Sequence, residues 1–494
     1  MQEFIPNVSE IIANVGEGVP QVMPELLLSL AFLVSIFTGI FKKSVLTYWV
    51  TCLGVIAATV GYVDQFQHPT NHAVLFQMIV PDKQAACLKG ILSFTYLLFL
   101  VFVKYHQPLR QHGKRMDDLL SVVLAIHIGL NLLIMTVNWL MAYIAIEMIS
   151  VGSYILVAYL GAKKEQAEAA LKYVLFGTAC SAVMLYGLSL LYGYTGGLSL
   201  IDARQLTSFS EMPKAAMLVV MLFIFTGIGF KLAFVPFHFW TPDVYEGAPT
   251  PVTAFLSTAP KVAAIAFLAR MLAAWNSYGP GLPQLLLDVL MAFSIASMLL
   301  GNLAAIRQNA VKRIMAYSSI GHTGFLLMVI LTGMPHAFTV MYFYLVIYVI
   351  VNMGVFMLID FIETKWSISH AEQYSGLGRS QPLIMTAMAL LMISLIGLPP
   401  TAGFVAKLLA FSSVLSIYQE SAHIGWLLLL ITGALTTVIA LFFYLKIPFY
   451  SFLRRGNTSF SKERFSFLVS IAVILAILSL LLGVFPALAL YPVS

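Results

Sequence analysis

The chain has 494 residues, 60% of them apolar and only 10% charged, with a net charge of +6 at neutral pH and a mean hydropathy of +0.92. Soluble domains run near 45–50% apolar and about 25% charged, so no compact water-soluble fold has interior enough for these side chains, and the chain reads as an all-α polytopic membrane protein. Three scattered cysteines, Cys52, Cys87 and Cys180, exclude a disulfide scaffold and a zinc or iron–sulfur cluster, and in a membrane chain the basic excess fits the bias of cytoplasmic loops better than nucleic-acid binding.

A crossing helix needs about 20 apolar residues. The runs that meet this predict about fourteen spans: 23–41, 45–63, 88–103, 119–137, 138–160, 169–193, 215–235, 251–274, 284–303, 314–333, 337–361, 382–398 continuing to about 417, 423–445 and 466–490. Glu3, Glu10 and Glu17 precede the first run and no basic stretch does, which predicts an anchoring helix rather than a cleaved signal peptide. Spans 4 and 5 meet almost without a connection at Asn138. The longest loops, 64–87, 194–214 and 361–381, are too short to form a folded unit. Phosphate-binding, dinucleotide, zinc-protease, redox-dithiol and nucleophile-elbow motifs are all missing. Redox or nucleotide chemistry is therefore expected in partner subunits, with no cofactor or metal in this chain.

Alternating spans sort the basic residues. One set of loops takes Lys42, Lys43, Lys104, Arg110, Lys114, Arg115, Lys163, Lys164, Arg307, Lys312, Arg313, Lys365, Arg379, Lys446, Arg454, Arg455, Lys462 and Arg464; the other takes Lys83, Lys89, Arg204, Lys214 and Arg270. Of the 27 basic residues, four (Lys172, Lys231, Lys261, Lys407) fall within spans. By the positive-inside rule both termini are expected on the extracytoplasmic side.

A charge at mid-bilayer costs about 2.5–3.5 kcal/mol and usually faces a bundle interior or a hydrated path. Most acidic residues, Glu25, Asp288 and Asp360 included, read as loop or span-end groups, whereas Glu147 is central in span 5. Its plain structural alternative is a carboxylate tied down by a Ser or Tyr. Lys231 closes span 7 just before Pro236, which removes a backbone donor and breaks the helix; the alternative is a lysine snorkelling to the interface. Lys261 lies about ten residues into span 8, where snorkelling is harder, and Lys407 follows a second break at Gly397-Leu-Pro399-Pro400. Lys172, near the start of span 6, reads equally well as a surface group. His127, His238 and His322 are candidate relays because imidazole titrates near working pH, although a lone helix histidine also serves as a packing group.

The two interrupted spans, 7 and 12, each carry a lysine and lie five helices apart. Five is odd, so units 4–8 and 9–13 insert with opposite orientation, the pattern of an inverted repeat with function at the breaks. The expected organisation is a three-helix segment at 1–118, a first repeat at 119–280, a second at 281–447 and a C-terminal helix at 448–494. Burial disfavours the charged form of a lysine and a nearby carboxylate favours it, so a buried row of lysines with one acidic partner suits proton transfer.

The segment from Lys231 through Pro236, His238 and Asp243 to Phe255 resembles the hallmark of the antiporter-like subunits of respiratory complex I. The stretches Glu147–Tyr154, Glu168–Gly177, Asn309–Ser319 and Gly397–Lys407 agree with it, and the resemblance spans roughly residues 20–490. It implies fourteen core helices in two inverted five-helix repeats with helices 7 and 12 broken, and a proton path matching Glu147, Lys231, Lys261 and Lys407. His322, Lys172, His238 and His127 are possible relays along it. A lysine at 407 and the lack of a lateral helix after the core both favour the subunit N branch. The implied function is membrane-arm proton translocation coupled to quinone reduction in neighbouring subunits, which would carry the flavin, iron–sulfur clusters and quinone. The implied location is a bacterial inner membrane, beside other antiporter-like and small membrane subunits. The alternative is an Mrp-type cation/proton antiporter subunit or a hydrogenase-linked proton- or sodium-pumping subunit.

Overall fold

The computed structural model describes residues 15–111, 116–161, 164–334, 336–455 and 466–490. Fourteen helices in it are long and apolar enough to cross a bilayer: α1 (Val15–Ile40), α2 (Ser44–Gln67), α3 (Lys83–Tyr105), α4 (Met116–Met135), α5 (Trp139–Val157), α6 (Lys164–Thr195), α7a (Lys214–Leu232), α8 (Thr250–Tyr278), α9 (Gln284–Ile306), α10 (Val311–Leu331), α11 (Ala337–Trp366), α12b (Ala402–Ser421), α13 (Ile424–Leu453) and α14 (Phe467–Val484). Two further pieces complete the interrupted spans: α7b (Thr241–Gly247) and α12a (Pro382–Ile396). Strand structure among the described residues is limited to isolated bridges.

Side-chain caps set several starts. The Asp82 carboxylate accepts from the Ala85 amide at 2.8 Å to open α3, and Asn138 accepts from Leu140 at 2.9 Å to open α5 directly after α4. Both breaks fall where expected. α7a ends with Ala233 in the left-handed region (φ 55°) and Pro236 soon after; α12a ends with Gly397 at φ 86°, ahead of Pro399 and Pro400. Irregular backbone at membrane depth is tolerated only where protein or a cavity covers it.

The packing supplies that cover. In α8, α10 and α11, 94% of the apolar window is buried inside the protein, against 28–39% for α1, α2, α6, α12b, α13 and α14. The first three therefore form the interior and the others meet lipid or partners. α8 packs on α3, α4, α10 and α11; α11 packs on α12a, α12b and α14; α9 packs on α10 and α13. The α9–α10 contact is a backbone approach, since a Cβ on Gly301 would come within 2.6 Å of the Gly321 amide nitrogen.

Several basic residues sorted with the loops lie within helix ranges, Lys89 and Arg270 among them. Lys89 sits within α3 with a fully buried side chain, and Arg270 sits within α8. Hydropathy places the start of span 3 at 88, whereas the Asp82 cap carries the helix back to Lys83, so charged residues of the first two turns become helix residues. Lys114, Arg115, Lys163, Lys462 and Arg464, with Glu3 and Glu10, lie outside the described residues.

Candidate functional site

The two breaks aim polar backbone at the interior, because the last carbonyls of a helix have no intrahelical partner. At the second break the freed Ile396 carbonyl accepts from Lys407 Nζ at 2.8 Å. Thr437 Oγ1 lies 3.5 Å from that nitrogen, and the Phe325 ring is 4.7 Å away. Gly397 is required here twice over: its φ is positive, and a Cβ on it would meet Lys407 Cδ at 2.8 Å. At the first break the Leu232 carbonyl accepts from Thr323 Oγ1 at 2.9 Å, and Trp240 Nε1 donates to the Phe230 carbonyl at 3.0 Å. Those carbonyls are taken, and Lys231 Nζ is left buried without a hydrogen-bond partner.

Between the breaks lie two hydrogen-bonded sets of polar groups, one around Ser319 and one around His322. Lys261 Nζ donates to the Ser319 carbonyl at 2.5 Å and to Ser319 Oγ at 2.7 Å. Ser319 Oγ also contacts Tyr348 Oη at 2.9 Å and Tyr245 Oη at 3.3 Å. His322, one turn on along α10, lies 2.7 Å from Tyr344 Oη through Nδ1 and 3.2 Å from Tyr444 Oη through Nε2; Tyr444 in turn bonds Ser318. His322, Tyr344, Tyr348, Ser394 and Lys407 line one cavity of about 20 Å³, room for one water. The four groups are almost wholly enclosed, with Lys231, Lys261, His322 and Lys407 exposed by 6%, 3%, 7% and 5%.

Glu147 is half-buried on α5. Its buried Oε1 has no hydrogen-bond partner. Carboxylate and amine are thus both left without a hydrogen bond to the other.

A vestibule of about 900 Å³ opens at the face where α10 begins, lined by His106, Lys172, Asp243, Lys312, Arg313 and Asp360 among others. Its walls carry ion pairs, Lys172 with Asp243 at 2.7 Å and Glu168 at 2.8 Å, Arg313 with Asp243 and Glu246 at 2.9 Å and Lys312 with Glu363 at 2.7 Å, and His106 Nδ1 lies 2.8 Å from an Asp360 oxygen. α7b joins this vestibule to the row, carrying Asp243 in the wall and Tyr245 against Ser319.

The structure therefore brings Lys261, His322 and Lys407 into one row, with Lys231 and Glu147 at its first break. It places Lys172 in the vestibule wall, half-exposed, rather than in the interior. His127 is fully buried with neither ring nitrogen hydrogen-bonded, and His238 packs on Phe239 at 4.6 Å with Nδ1 unpartnered; neither reaches the row by a hydrogen bond. Ser319, Thr323, Tyr245, Tyr344, Tyr348 and Tyr444 were not foreseen. Their one sequence signal is spacing, since Tyr344 and Tyr348 lie one turn apart and Ser319 and Thr323 likewise. Among the described residues no group of three His, Cys, Asp or Glu side chains is arranged to hold a metal ion.

Residues 136–440 match the family described as NADH:quinone oxidoreductase/Mrp antiporter, TM, and this stretch contains Glu147, Lys231, Lys261, His322 and Lys407. The chain belongs to that family of transmembrane subunits. It is 34% identical over 468 residues to NADH-quinone oxidoreductase subunit N 2 of Chloroherpeton thalassium, covering 92% of this chain and 90% of that protein. Among solved structures it is similar to a chain of respiratory complex I from Thermus thermophilus with bound aureothin, at TM-score 0.77 and 28% identity, covering 95% of this chain and 98% of that one. It also shares its fold with a chain of the Mrp complex from a Dietzia species, at TM-score 0.79 and 21% identity over 96% of each chain.

Proposed function

We propose that the chain is a membrane-arm subunit of a proton-translocating oxidoreductase that reduces quinone with NADH or a related donor, and that it moves protons without itself carrying a redox centre. A proton enters from the vestibule face, which is taken as cytoplasmic because the basic loops gather there, and reaches Lys231 beside Glu147. It passes to Lys261 through the polar backbone and side chains around Ser319, then to Lys407 through Tyr348, His322 and water in the cavity between them, and leaves on the opposite side. Both termini then lie on that opposite side of a bacterial inner membrane. The repeats are placed at 119–280 and 281–447, after a three-helix segment at 1–118 and before a C-terminal helix at 448–494. Lys172, ion-paired in the wall, gathers protons at the mouth rather than relaying them inside.

The observation that supports this most is the set of hydrogen-bonding groups from Lys261 through Ser319 to Tyr348, which lines the cavity shared by His322 and Lys407. Driving one charge against 100 mV requires about 2.3 kcal/mol; one unit of change in a lysine's proton affinity is about 1.4 kcal/mol, so a shift of Glu147 relative to Lys231 is of the right size. Quinone reduction in neighbouring subunits supplies that shift. The Mrp-type reading shares the fold alone with this chain, whereas subunit N 2 shares sequence over nearly its whole length.

Glu147→Gln in the assembled complex is the test. Proton pumping falls while the complex assembles normally; pumping at the wild-type level with normal assembly contradicts the role given to Glu147.

A further inference from the structure

Outside residues 136–440 the bundle encloses another charge pair. Lys89, about 9 Å along α3 from its first residue, meets Glu25 of α1 at 2.7 Å, with side chains 0% and 6% exposed. Its ammonium also donates to Gln65 Oε1 at 3.0 Å and sits 5.0 Å over the Tyr62 ring. A buried ion pair adds little stability beyond that of apolar side chains of the same volume, and an ionisable group inside a bilayer is costlier still. Packing alone gives no reason for this one.

Two observations give the pair a route and a ligand. Arg270 holds Asp82 bidentately at 2.8 and 2.9 Å. Both line an opening of about 660 Å³, with His72, Lys83 and Gln84, on the face opposite the vestibule. Lys89 lies about two helical turns beyond the Asp82 cap, on the same face of α3. Inward from the pair, Asn131 Nδ2 donates to Tyr62 Oη at 2.7 Å, and His127 lies one turn from Asn131 on the same face of α4. Glu25 Oε2, Asn131 Oδ1 and both nitrogens of His127 are buried polar atoms with no hydrogen-bond partner, the condition that calls for water.

We propose that Glu25–Lys89 is a second proton-exchange site, loaded through the Asp82–Arg270 opening and separate from the central row. A proton delivered by water neutralises the Glu25 carboxylate and leaves the Lys89 ammonium held by Gln65; its return to water restores the pair. Tyr96, Phe99 and Phe255, in successive tilted ring contacts beyond His127 at centroid distances of 5.0, 6.4 and 5.2 Å, form an aromatic partition between this site and the interior of the bundle.

The effect on translocation rests on the proposed function; occupancy by protons does not, so two measurements are made. The wild-type complex is treated with dicyclohexylcarbodiimide, which traps protonated buried carboxyls, over a range of pH, and the adducts are located by mass spectrometry. An adduct on Glu25 that increases as pH falls is expected; no adduct at any pH overturns the site. In the second, Glu25→Gln and Lys89→Met are combined so that no lone buried charge remains. Translocation per assembled complex falls by about twofold or more. Wild-type translocation in this double variant overturns the site, and if Glu147→Gln has abolished translocation in the same complex, the central row stands without it. Should the double variant fail to assemble, the labelling result decides.

Discussion

The two broken helices share an architecture and differ in how each treats its lysine. At α12 the freed Ile396 carbonyl faces Lys407 and Gly397 clears the path for its side chain, so the ammonium is held. At α7 the freed carbonyls go to Thr323 and Trp240, and Lys231 bonds to neither. One break gives its lysine a hydrogen-bond partner; the other leaves its lysine buried without one.

Removing the held end has the largest effect. Lys407→Ala lowers proton pumping about 100-fold or more in a complex that assembles normally, checked by subunit content and by pumping in proteoliposomes. Complete absence of the complex would mark Lys407 as a structural support and erase the contrast between the breaks. Next comes the group that links them. Ser319→Ala removes the hydroxyl shared by Lys261, Tyr348 and Tyr245, and a hydrogen bond to a charged group contributes about 1.5–3 kcal/mol. Pumping slows about tenfold, and an unchanged rate means the proton bypasses Ser319. Smallest is Gly397→Ala, which places a side chain in the left-handed region at about 1–2 kcal/mol and pushes on Lys407 Cδ. Thermal unfolding of the purified complex comes at a lower temperature and pumping is moderately slower; unchanged melting would show that the second break does not rely on that glycine.

Much of this was legible in the sequence, for physical reasons. Apolar runs long enough to cross a bilayer, interrupted by Pro236 and by Pro399–Pro400, give the helix count and both breaks, because hydrocarbon permits so few backbone solutions. Glu147, Lys231, Lys261 and Lys407 stand out because a charge in an apolar run is rare. The tyrosines of the row did not stand out, since their rings read as apolar and only their hydroxyl groups take part. Lys89 was hidden differently: a charge near the start of a run reads as a loop residue until the cap at Asp82 extends the helix over it. Lys172, which the sequence left open between a surface group and a relay, is a residue of α6 whose ion pairs set it in an open wall.

Protons that cross through the proposed row must pass Lys261, its midpoint, which Ser319 holds and which is almost wholly enclosed. The direct measurement is proton translocation by the assembled complex carrying Lys261→Met, in proteoliposomes, with subunit content measured alongside. Translocation is lost while the complex remains whole; translocation at the wild-type rate would mean that protons cross elsewhere, and the account would be wrong.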